Sequence, residues 1–278
     1  MDCCNLQHHG SFTRITPDST MKKVYFITDA HLGAWALEHR RTHERRLVSF
    51  LDKIKDDAAA VYMLGDMFDF WYEYKYAVPK GFTRFLGKVS ELTDKGVEVH
   101  FFTGNHDQWC TDYFEKECGM KVHCEPFLTE IMGKVFFLAH GDEFSRDWKY
   151  RILRSMFRSR LLRALFSTLH PCLSLWMGNS WARHSMVQHK IKGDTPFKGK
   201  EYEDCIKFAE KYIGNHTVDC FIFGHRHVDE DMMLDDKVRC ILLGDWINIF
   251  AYVVWDGKTI SHERYVEGDA VQIVSQSE

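Results

Sequence analysis

The feature that most constrains the fold of this chain is a repeated order, in which a short apolar run is followed by a polar cluster. The polar clusters are Asp29-Ala30-His31, Gly65-Asp66, Gly104-Asn105-His106-Asp107, His140-Gly141-Asp142 and Gly224-His225-Arg226-His227. The runs before them are Val24–Thr28, Ala60–Leu64, Val97–Thr103, Val135–Ala139 and Cys220–Phe223. Such runs are typical of buried strands, and open α/β sheets place their sites in loops just past strand ends. The pattern therefore predicts an α/β protein with these clusters in its site loops.

Each cluster alone would be ordinary, because an Asp-x-His or a Gly-Asp in a turn is usually a capped or solvated loop. Together the clusters supply carboxylate and amide oxygens and imidazole nitrogens. These ligands suit two cations about 3.5–4 Å apart, which activate an in-line water and neutralise the charge that develops on a phosphodiester or pyrophosphate. The joint pattern predicts a two-metal phosphoesterase.

Composition narrows the class of protein. The chain has 278 residues, 45% hydrophobic and 27% charged, which fits one large globular domain. The net charge of −4 argues against wholesale nucleic-acid binding. Nine cysteines without a C-x-x-C pair exclude a zinc knuckle and a thioredoxin-like motif, and they predict reduced thiols in the cytosol. The sequence contains no uninterrupted run of about 20 apolar residues, so it predicts no membrane-spanning helix.

We expect residues 1–21 to be a disordered lead-in and residues 22–278 to form a single domain. Apolar residues at helical spacing predict helices over Thr42–Lys55 and Phe82–Lys95. Further strands are predicted at Val122–His123, Phe127–Ile131, Val238–Leu243, Ala251–Trp255 and Thr259–His262. Two sheets flanked by helices are the natural way to pack these elements.

Residues 146–200, which we call the insertion, are predicted to be helical. From Arg146 to Arg163 the insertion carries seven basic residues against one acid, Asp147, with apolar residues interleaved. This stretch is either a solvated basic helix face packed on the core, or a lid that contacts anionic lipid headgroups or an acylated, phosphorylated substrate. The next stretch, Leu161–Trp181, either lines an acyl-chain pocket or forms a plain helical hairpin kinked at Pro171.

The series D-x-H, GD, GNHD, H and GHxH resembles the pattern of the calcineurin-like metallophosphoesterase superfamily over most of residues 22–262. The resemblance implies a four-layer αββα sandwich with a two-metal centre, commonly Mn²⁺ in bacterial enzymes. It implies that Asp66 bridges two ions. The first ion would be held by Asp29, His31 and His227, and the second by Asn105, His140 and His225.

His106 has no ligand role in that pattern. We predict that it protonates the leaving oxygen or stabilises the transition state, with Asp107 orienting its ring. The alternative is a surface histidine in a loop.

A narrower resemblance rests on Gly65–Trp71, on His140-Gly141-Asp142 followed by Asp147 and Tyr150, on the insertion, and on Leu243-Gly244-Asp245-Trp246. These segments are similar to the UDP-2,3-diacylglucosamine diphosphatases of lipid A biosynthesis. That family implies hydrolysis of the pyrophosphate of an acylated UDP-sugar, peripheral contact with the inner face of the bacterial inner membrane, and a helical lid. The substrate contacts it implies are Asn105, His106, Asp147, Ser180, Arg183 and His225.

One position departs from that narrower pattern. Its best-known members have Gly-Asn-Arg-Asp where this chain has Gly-Asn-His-Asp at residues 104–107. A general metal-dependent phosphodiesterase or phosphomonoesterase is therefore the alternative enzyme. A catalytically inactive scaffold is the alternative from another class, although none of the seven predicted ligands is missing.

Overall fold

The computed structural model describes residues 22–34, 37, 39–192, 197–266 and 272–273, with residues 184–192 and 272–273 described by their backbone alone. The predicted lead-in, residues 1–21, lies outside the described residues. The strands are β1 (Lys23–Ile27), β2 (Ala58–Met63), β3 (Glu98–Phe102), β4 (Lys121–His123), β5 (Phe127–Ile131), β6 (Lys134–Ala139), β7 (Cys220–Phe223), β8 (Glu230–Met233), β9 (Arg239–Leu242), β10 (Ala251–Trp255), β11 (Ile260–Arg264) and β12 (Gln272–Ile273). The helices are α1 (Arg40–Ile54), α2 (Thr83–Asp94), α3 (Tyr113–Cys118), α4 (Trp148–Phe157), α5 (Arg160–Ser167), α6 (Pro171–Lys192) and α7 (Asp204–Ile213).

The described strands form two sheets. The first has the order β12-β11-β10-β1-β2-β3-β4, with β1 to β4 parallel and β10 antiparallel to β1. The second has the order β5-β6-β7-β9-β8, with β6, β7 and β9 parallel. Because parallel neighbours end at the same edge, the loops after β1, β2 and β3 lie together, as do those after β6, β7 and β9.

Alternation along the strands creates four layers. In β1, Val24 and Phe26 pack into the cluster between the sheets, whereas Tyr25 and Ile27 face α1, α2 and α3. In the second sheet, β6 and β7 likewise place alternate residues between the sheets and against α7. A period of two residues in a strand buried on both faces gives this result. The predicted four-layer αββα class is confirmed.

The insertion contains α4, α5 and α6. Its Phe157, Phe166 and Trp181 pack against a buried cluster that includes Phe70 and Trp109. The indole Nε1–H of Trp109 donates to the Phe157 carbonyl at 2.7 Å, and the Tyr72 hydroxyl donates to the Arg163 carbonyl at 3.0 Å. These contacts seat the insertion over the loops that follow β2 and β3.

Of the two alternatives for Leu161–Trp181, the helical hairpin was expected to be kinked at Pro171, and that position of the proline is wrong. Helix α5 ends at Ser167, and Pro171 is the first residue of α6. Proline fits the first helical position because the N–H it lacks would have no partner inside the helix there. Within the described residues, no helix has both the length and the hydropathy to cross a membrane.

Candidate metal centre

The structure brings the seven predicted metal ligands together where the two sheets end side by side. Asp29, His31 and His227 place one ligand atom each within 4.8 Å of one another, and so do Asp66, His140 and His225. The Asn105 Oδ1 atom lies 3.4 Å from Nε2 of His140 and so joins the second group. Each group therefore combines residues from loops of both sheets.

Asp66 lies between the two groups. Its Oδ2 atom is 3.8 Å from His31 Nε2 and 3.3 Å from His140 Nε2. The other oxygen, Oδ1, accepts the His106 N–H at 2.8 Å, which fixes the carboxylate in place. Asp66 therefore lies close to a histidine of each group.

The backbone of these loops is strained. Five non-glycine residues have a positive φ in the left-handed region: Asp29, His31, Asp66, His225 and His227. Such conformations cost about 1–3 kcal/mol each and persist only where the surroundings enforce them. Here the surroundings are hydrogen bonds between the loops, for example from the His31 N–H to the Asp66 carbonyl at 2.9 Å and from the His225 N–H to Asp29 Oδ2 at 2.8 Å.

Two glycines allow the carboxylates to approach the neighbouring loops. A Cβ at Gly104 would overlap Oδ1 of Asp66, and a Cβ at Gly224 would overlap the hydroxyl of Thr28 and lie 2.7 Å from Oδ2 of Asp29. Any larger residue at either position would push a loop out of the centre. The glycines of the GNHD and GHxH segments are thus explained by close packing.

Burial and the neighbouring histidines act in opposite directions on the pKa values of the carboxylates in the centre. Burial alone would raise the pKa of Asp29, but His227 and the contact with His31 outweigh it and hold the pKa below its usual value. The pKa of Asp66 is lowered in the same way, mainly by His140. Both carboxylates are therefore charged, buried acceptors.

The donor set fits divalent cations. Oδ1 of Asp29 and Nε2 of His31 are buried without a hydrogen-bond partner, although they lie only 3.8 Å apart, and Nε2 of His227 is 3.4 Å from the same oxygen. Buried polar atoms are almost always paired, so atoms that converge without bonding to one another indicate a shared external partner. Oxygen and imidazole donors suit borderline and hard divalent metals.

Residues behind the ligands set the orientation of the rings. Asp245 Oδ2 lies 3.2 Å from Nδ1 of His227, and the Leu64 carbonyl lies 2.9 Å from Nδ1 of His140. Asp69 Oδ1 lies 3.5 Å from Nδ1 of His31. The first two contacts are hydrogen bonds, which turn Nε2 of His227 and of His140 toward the centre, whereas Asp69 approaches His31 without a hydrogen bond.

The sequence interpretation did not assign roles to Asp69 and Asp245, although both fall in segments it used. Each is a carboxylate in a loop that follows a strand ending at this edge, which is the signal that would have identified them. In a third grouping, the ligand atoms of His31, Asp69 and His106 also lie within 4.8 Å of one another.

His106 is buried beside the centre. Its Nδ1 lies 2.7 Å from the Asp69 carbonyl, and its ring centroid is 4.8 Å from that of His31 and 5.3 Å from that of Trp181. Burial lowers its pKa, so the neutral ring is favoured. His106 thus lies between the metal centre and the insertion, and its burial excludes the alternative of a surface histidine.

The predicted role of Asp107 needs correction, because it does not orient the His106 ring. Its oxygens accept the N–H groups of Gly104 and Met67, both at 2.8 Å, while the ring is held by the Asp69 carbonyl. Burial raises the pKa of Asp107 to about 7. Asp107 ties the loop after β3 to the loop after β2 and is a positioning residue.

The remaining predicted substrate contacts lie in or near the insertion. Asp147 is exposed and caps α4 by accepting the Lys149 N–H. Ser180 is partly buried on α6, and Arg183 borders a cleft beside that helix. For Asp147 the structure shows a helix-capping contact at the start of α4.

Asp142 connects the insertion to the centre. It follows the His140 loop and accepts Arg154 Nε at 2.6 Å and the Tyr150 hydroxyl at 3.3 Å. Burial opposes its ionisation, but His140, His225 and Arg154 together lower its pKa. This buried ion pair anchors α4 next to the second ligand group.

The class of protein follows from its similarity to known proteins. A family model described as calcineurin-like phosphoesterase matches residues 22–229. The chain belongs to the calcineurin-like phosphoesterase family.

Several bacterial proteins that are similar to this chain have the same name. A Porphyromonas gingivalis protein named UDP-2,3-diacylglucosamine hydrolase is 47% identical over 250 residues, which cover 86% of this chain and 95% of that protein. Proteins with the same name are 30% identical in Aeromonas hydrophila, covering 80% of this chain and 89% of that protein, and 29% identical in Histophilus somni, covering 81% and 93%.

Proposed function

We propose that the protein hydrolyses the pyrophosphate bond of UDP-2,3-diacylglucosamine in lipid A biosynthesis, giving UMP and 2,3-diacylglucosamine 1-phosphate. The observation that carries this proposal is an apolar pocket that opens beside His106 and Asn105, between the insertion and the metal centre. Relatives named for this activity, up to 47% identical, support the choice of substrate.

The pocket suits hydrocarbon. Its volume is about 210 Å³, and its walls are the side chains of Phe70, Trp109, Phe157, Phe166, Met177 and Trp181. An apolar cavity of about 150 Å³ already admits benzene, so this pocket has room for a segment of an acyl chain. We propose that the insertion is the lid over this pocket.

The residues of the centre have separable roles in the reaction. Asp29, His31 and His227 would hold one divalent ion, Asn105, His140 and His225 the other, and Asp66 would bridge them. When bound, two such ions lower the pKa of an attacking water and offset the charge on the phosphate oxygens. We propose Mn²⁺ as the metal, since Asp, Asn and His donors all accept it.

His106 would exchange a proton with the substrate. Its Nδ1 is engaged by the Asp69 carbonyl, so Nε2 is the nitrogen left for a substrate oxygen. Burial keeps the free ring neutral, and an anionic pyrophosphate beside it would raise its pKa and favour the protonated donor. The same ring contacts Trp181 and so links the chemistry to the pocket.

We further propose that the insertion touches the inner face of the bacterial inner membrane from the cytoplasm. Trp148, Leu161 and Trp176 are 64%, 68% and 66% exposed on its helices. Exposed aromatic and aliphatic side chains beside arginines are typical of helices that lie in the headgroup region. An acylated substrate would enter from that surface.

The test is release of UMP from detergent-dispersed UDP-2,3-diacylglucosamine by the purified protein with Mn²⁺, followed by chromatography. A simple aryl phosphodiester serves as the second substrate. Release of UMP supports the proposal. Hydrolysis of the aryl ester without release of UMP would instead support the general phosphodiesterase, which the histidine at position 106 of the GNHD segment favours.

A further inference from the structure

A second cleft lies on the other side of α6. It has a volume of about 620 Å³ and runs between the start of α1, residues 79–84 and α6, down to Asp69 and Phe70. This volume falls within the range of small-molecule sites, about 300–1,000 Å³. Of the predicted substrate contacts only Arg183 lines this cleft, and the sequence did not indicate which part of a substrate it would meet.

The cleft is lined by an excess of positive charge. Its basic residues are Arg40, Arg41, Lys80, Arg84 and Arg183. The acidic residues on its wall are Glu44 and Asp69. Glu44 accepts the N–H groups of Arg84 and Phe85 at 3.1 and 3.3 Å, and its Oε2 lies 3.9 Å from Nη1 of Arg84, so it offsets that arginine and leaves the charge of the other basic residues in excess. The cleft therefore presents a positive surface to a ligand.

The cleft reaches the metal centre. Asp69, at its inner end, contacts His31 through its carboxylate and His106 through its carbonyl. Phe70 borders both this cleft and the apolar pocket. The two compartments therefore meet next to the predicted metal ligands.

Helix α6 separates the compartments with two different faces. Leu175, Asn179 and Arg183, at a spacing of four residues, face the basic cleft. Met177, Gly178 and Trp181 face the apolar pocket. An α-helix has 3.6 residues per turn, so these two sets of residues lie on roughly opposite sides of α6. One helix thus supplies a polar wall and an apolar wall.

We propose that the basic cleft binds the nucleoside phosphate part of the substrate, while the acylated part lies in the apolar pocket. The identity of the substrate rests on the proposed function. A molecule with an anionic half and a hydrocarbon half, cleaved between them, needs two compartments of opposite character that meet at the scissile bond. The aromatic and methionine walls of the apolar pocket offer phosphate oxygens no hydrogen bonds to replace their hydration.

The test is the affinity for UMP and for inorganic phosphate, measured by calorimetry on the Mn²⁺-loaded protein. The variant Arg40→Gln/Arg41→Gln removes two charges from the cleft. The control Arg45→Gln/Lys211→Gln removes two charges from exposed positions of α1 and α7 that do not line the cleft. Thermal unfolding checks that both variants are folded.

We expect the cleft variant to weaken UMP binding at least about tenfold, because charge-assisted contacts to phosphate are lost. The affinity for inorganic phosphate, which would bind at the metal centre alone, should change less than about threefold in the cleft variant. In the control variant the affinities for UMP and for phosphate should both change less than about threefold. Unchanged UMP affinity in the cleft variant, equal losses for UMP and phosphate, or no UMP binding by the wild type would each overturn the inference.

The outcome is separable from that of the proposed function. If the wild type fails to cleave UDP-2,3-diacylglucosamine yet shows this UMP pattern, the substrate is wrong and the cleft stands as a nucleotide subsite. If the wild type cleaves it and the cleft variant binds UMP normally, the function stands and the cleft assignment falls.

Discussion

The metal centre and the insertion differ in how they are held. Asp29 and His140 are fully buried and Asp66 is 1% exposed, and hydrogen bonds between loops fix their backbone. In the insertion, helices α4 and α5 contain no buried residue, and Trp148 and Leu161 are more than 60% exposed.

This difference separates two tasks. A centre that must keep charged groups at fixed separations needs a rigid, over-determined backbone. A surface that meets an acylated ligand needs apolar groups that are still accessible. The two regions are joined at a few points, among them the Asp142–Arg154 ion pair at 2.6 Å. Perturbing each region should therefore change different measured quantities.

The largest effect is expected from Asp66→Asn in the centre. The loss of the bridging carboxylate should remove hydrolysis of every substrate and reduce bound metal, measured by turnover and by metal analysis. The loss should exceed the roughly 10–100-fold that removal of a residue behind a ligand costs, which is what we expect for Asp245→Asn. Equal effects of the two substitutions would contradict the assigned roles.

A smaller effect, confined to the acylated substrate, is expected from Gly178→Ala. A Cβ at Gly178 would overlap the Phe70 ring, which borders both compartments. We expect KM for the acylated substrate to rise about tenfold, because a displaced Phe70 ring would contact the substrate less well, and about 1.4 kcal/mol of lost binding free energy corresponds to a tenfold change. KM for the aryl phosphodiester should not change.

Gly87→Ala is the matched control for that substitution, because Gly87 lies in α2 with no atom within 4 Å of an added Cβ. It should leave KM unchanged and stabilise the helix by about 0.5–1 kcal/mol. If both substitutions behaved alike, the position of α6 would not matter for the substrate.

Membrane contact is the next test of the comparison. The variant Trp148→Ser/Leu161→Ser/Trp176→Ser should lose most of its co-sedimentation with anionic vesicles, because each buried apolar side chain contributes about 1.5–3 kcal/mol. Tyr76→Ser/Tyr202→Ser, at residues 88% and 63% exposed outside the insertion, is the control. Equal loss in both variants would refute contact through the insertion.

The smallest effect on function is expected from His262, whose ion pairs contribute to the stability of the fold. His262 is buried, with Nε2 2.7 Å from Asp229 Oδ1, and Asp229 also binds Arg264. Burial opposes protonation of this ring, but Asp229 and Asp231 outweigh it and raise the pKa of His262 to about 9. The protonated form therefore stabilises the folded state.

Because the folded pKa lies above the unfolded value, this stabilisation is complete below about pH 6.5 and is lost as the pH rises through about 9. Relative to His262→Gln, the wild type should lose about 1–3 kcal/mol of unfolding free energy over that interval. Urea unfolding at pH 6 and pH 9.5 measures it. A wild-type advantage that grows with pH would contradict the assignment.

Much of the sheet architecture was predictable, because it depends on local alternation. The strand Ala251–Trp255 was predicted with its observed bounds, and Val97–Thr103 contains the observed Glu98–Phe102. Strand β8, Glu230–Met233, was missed because it is an acidic edge strand. It forms through pairing with β9 and the Asp231–Arg239 ion pair, neither of which is a local property.

The site was predictable in part for the same reason. The identities of the strand-end residues indicated a metal-binding set. The roles of Asp69 and Asp107, in contrast, depend on contacts with His31 and Met67, which lie 38 and 40 positions away. A segment pattern cannot distinguish a carboxylate that binds backbone N–H groups from one that orients a ring.

The sequence by itself determined that polar residues follow buried strands and that the strands form two helix-covered sheets, because strand period and hydrophobicity act locally. Only the tertiary structure decided which nitrogen of each histidine faces the centre. The Leu64 carbonyl that turns His140 lies 76 residues from it along the chain. The tertiary structure also decided that α6 has one face toward an apolar pocket and another toward a basic cleft, since that depends on which distant loops pack against it.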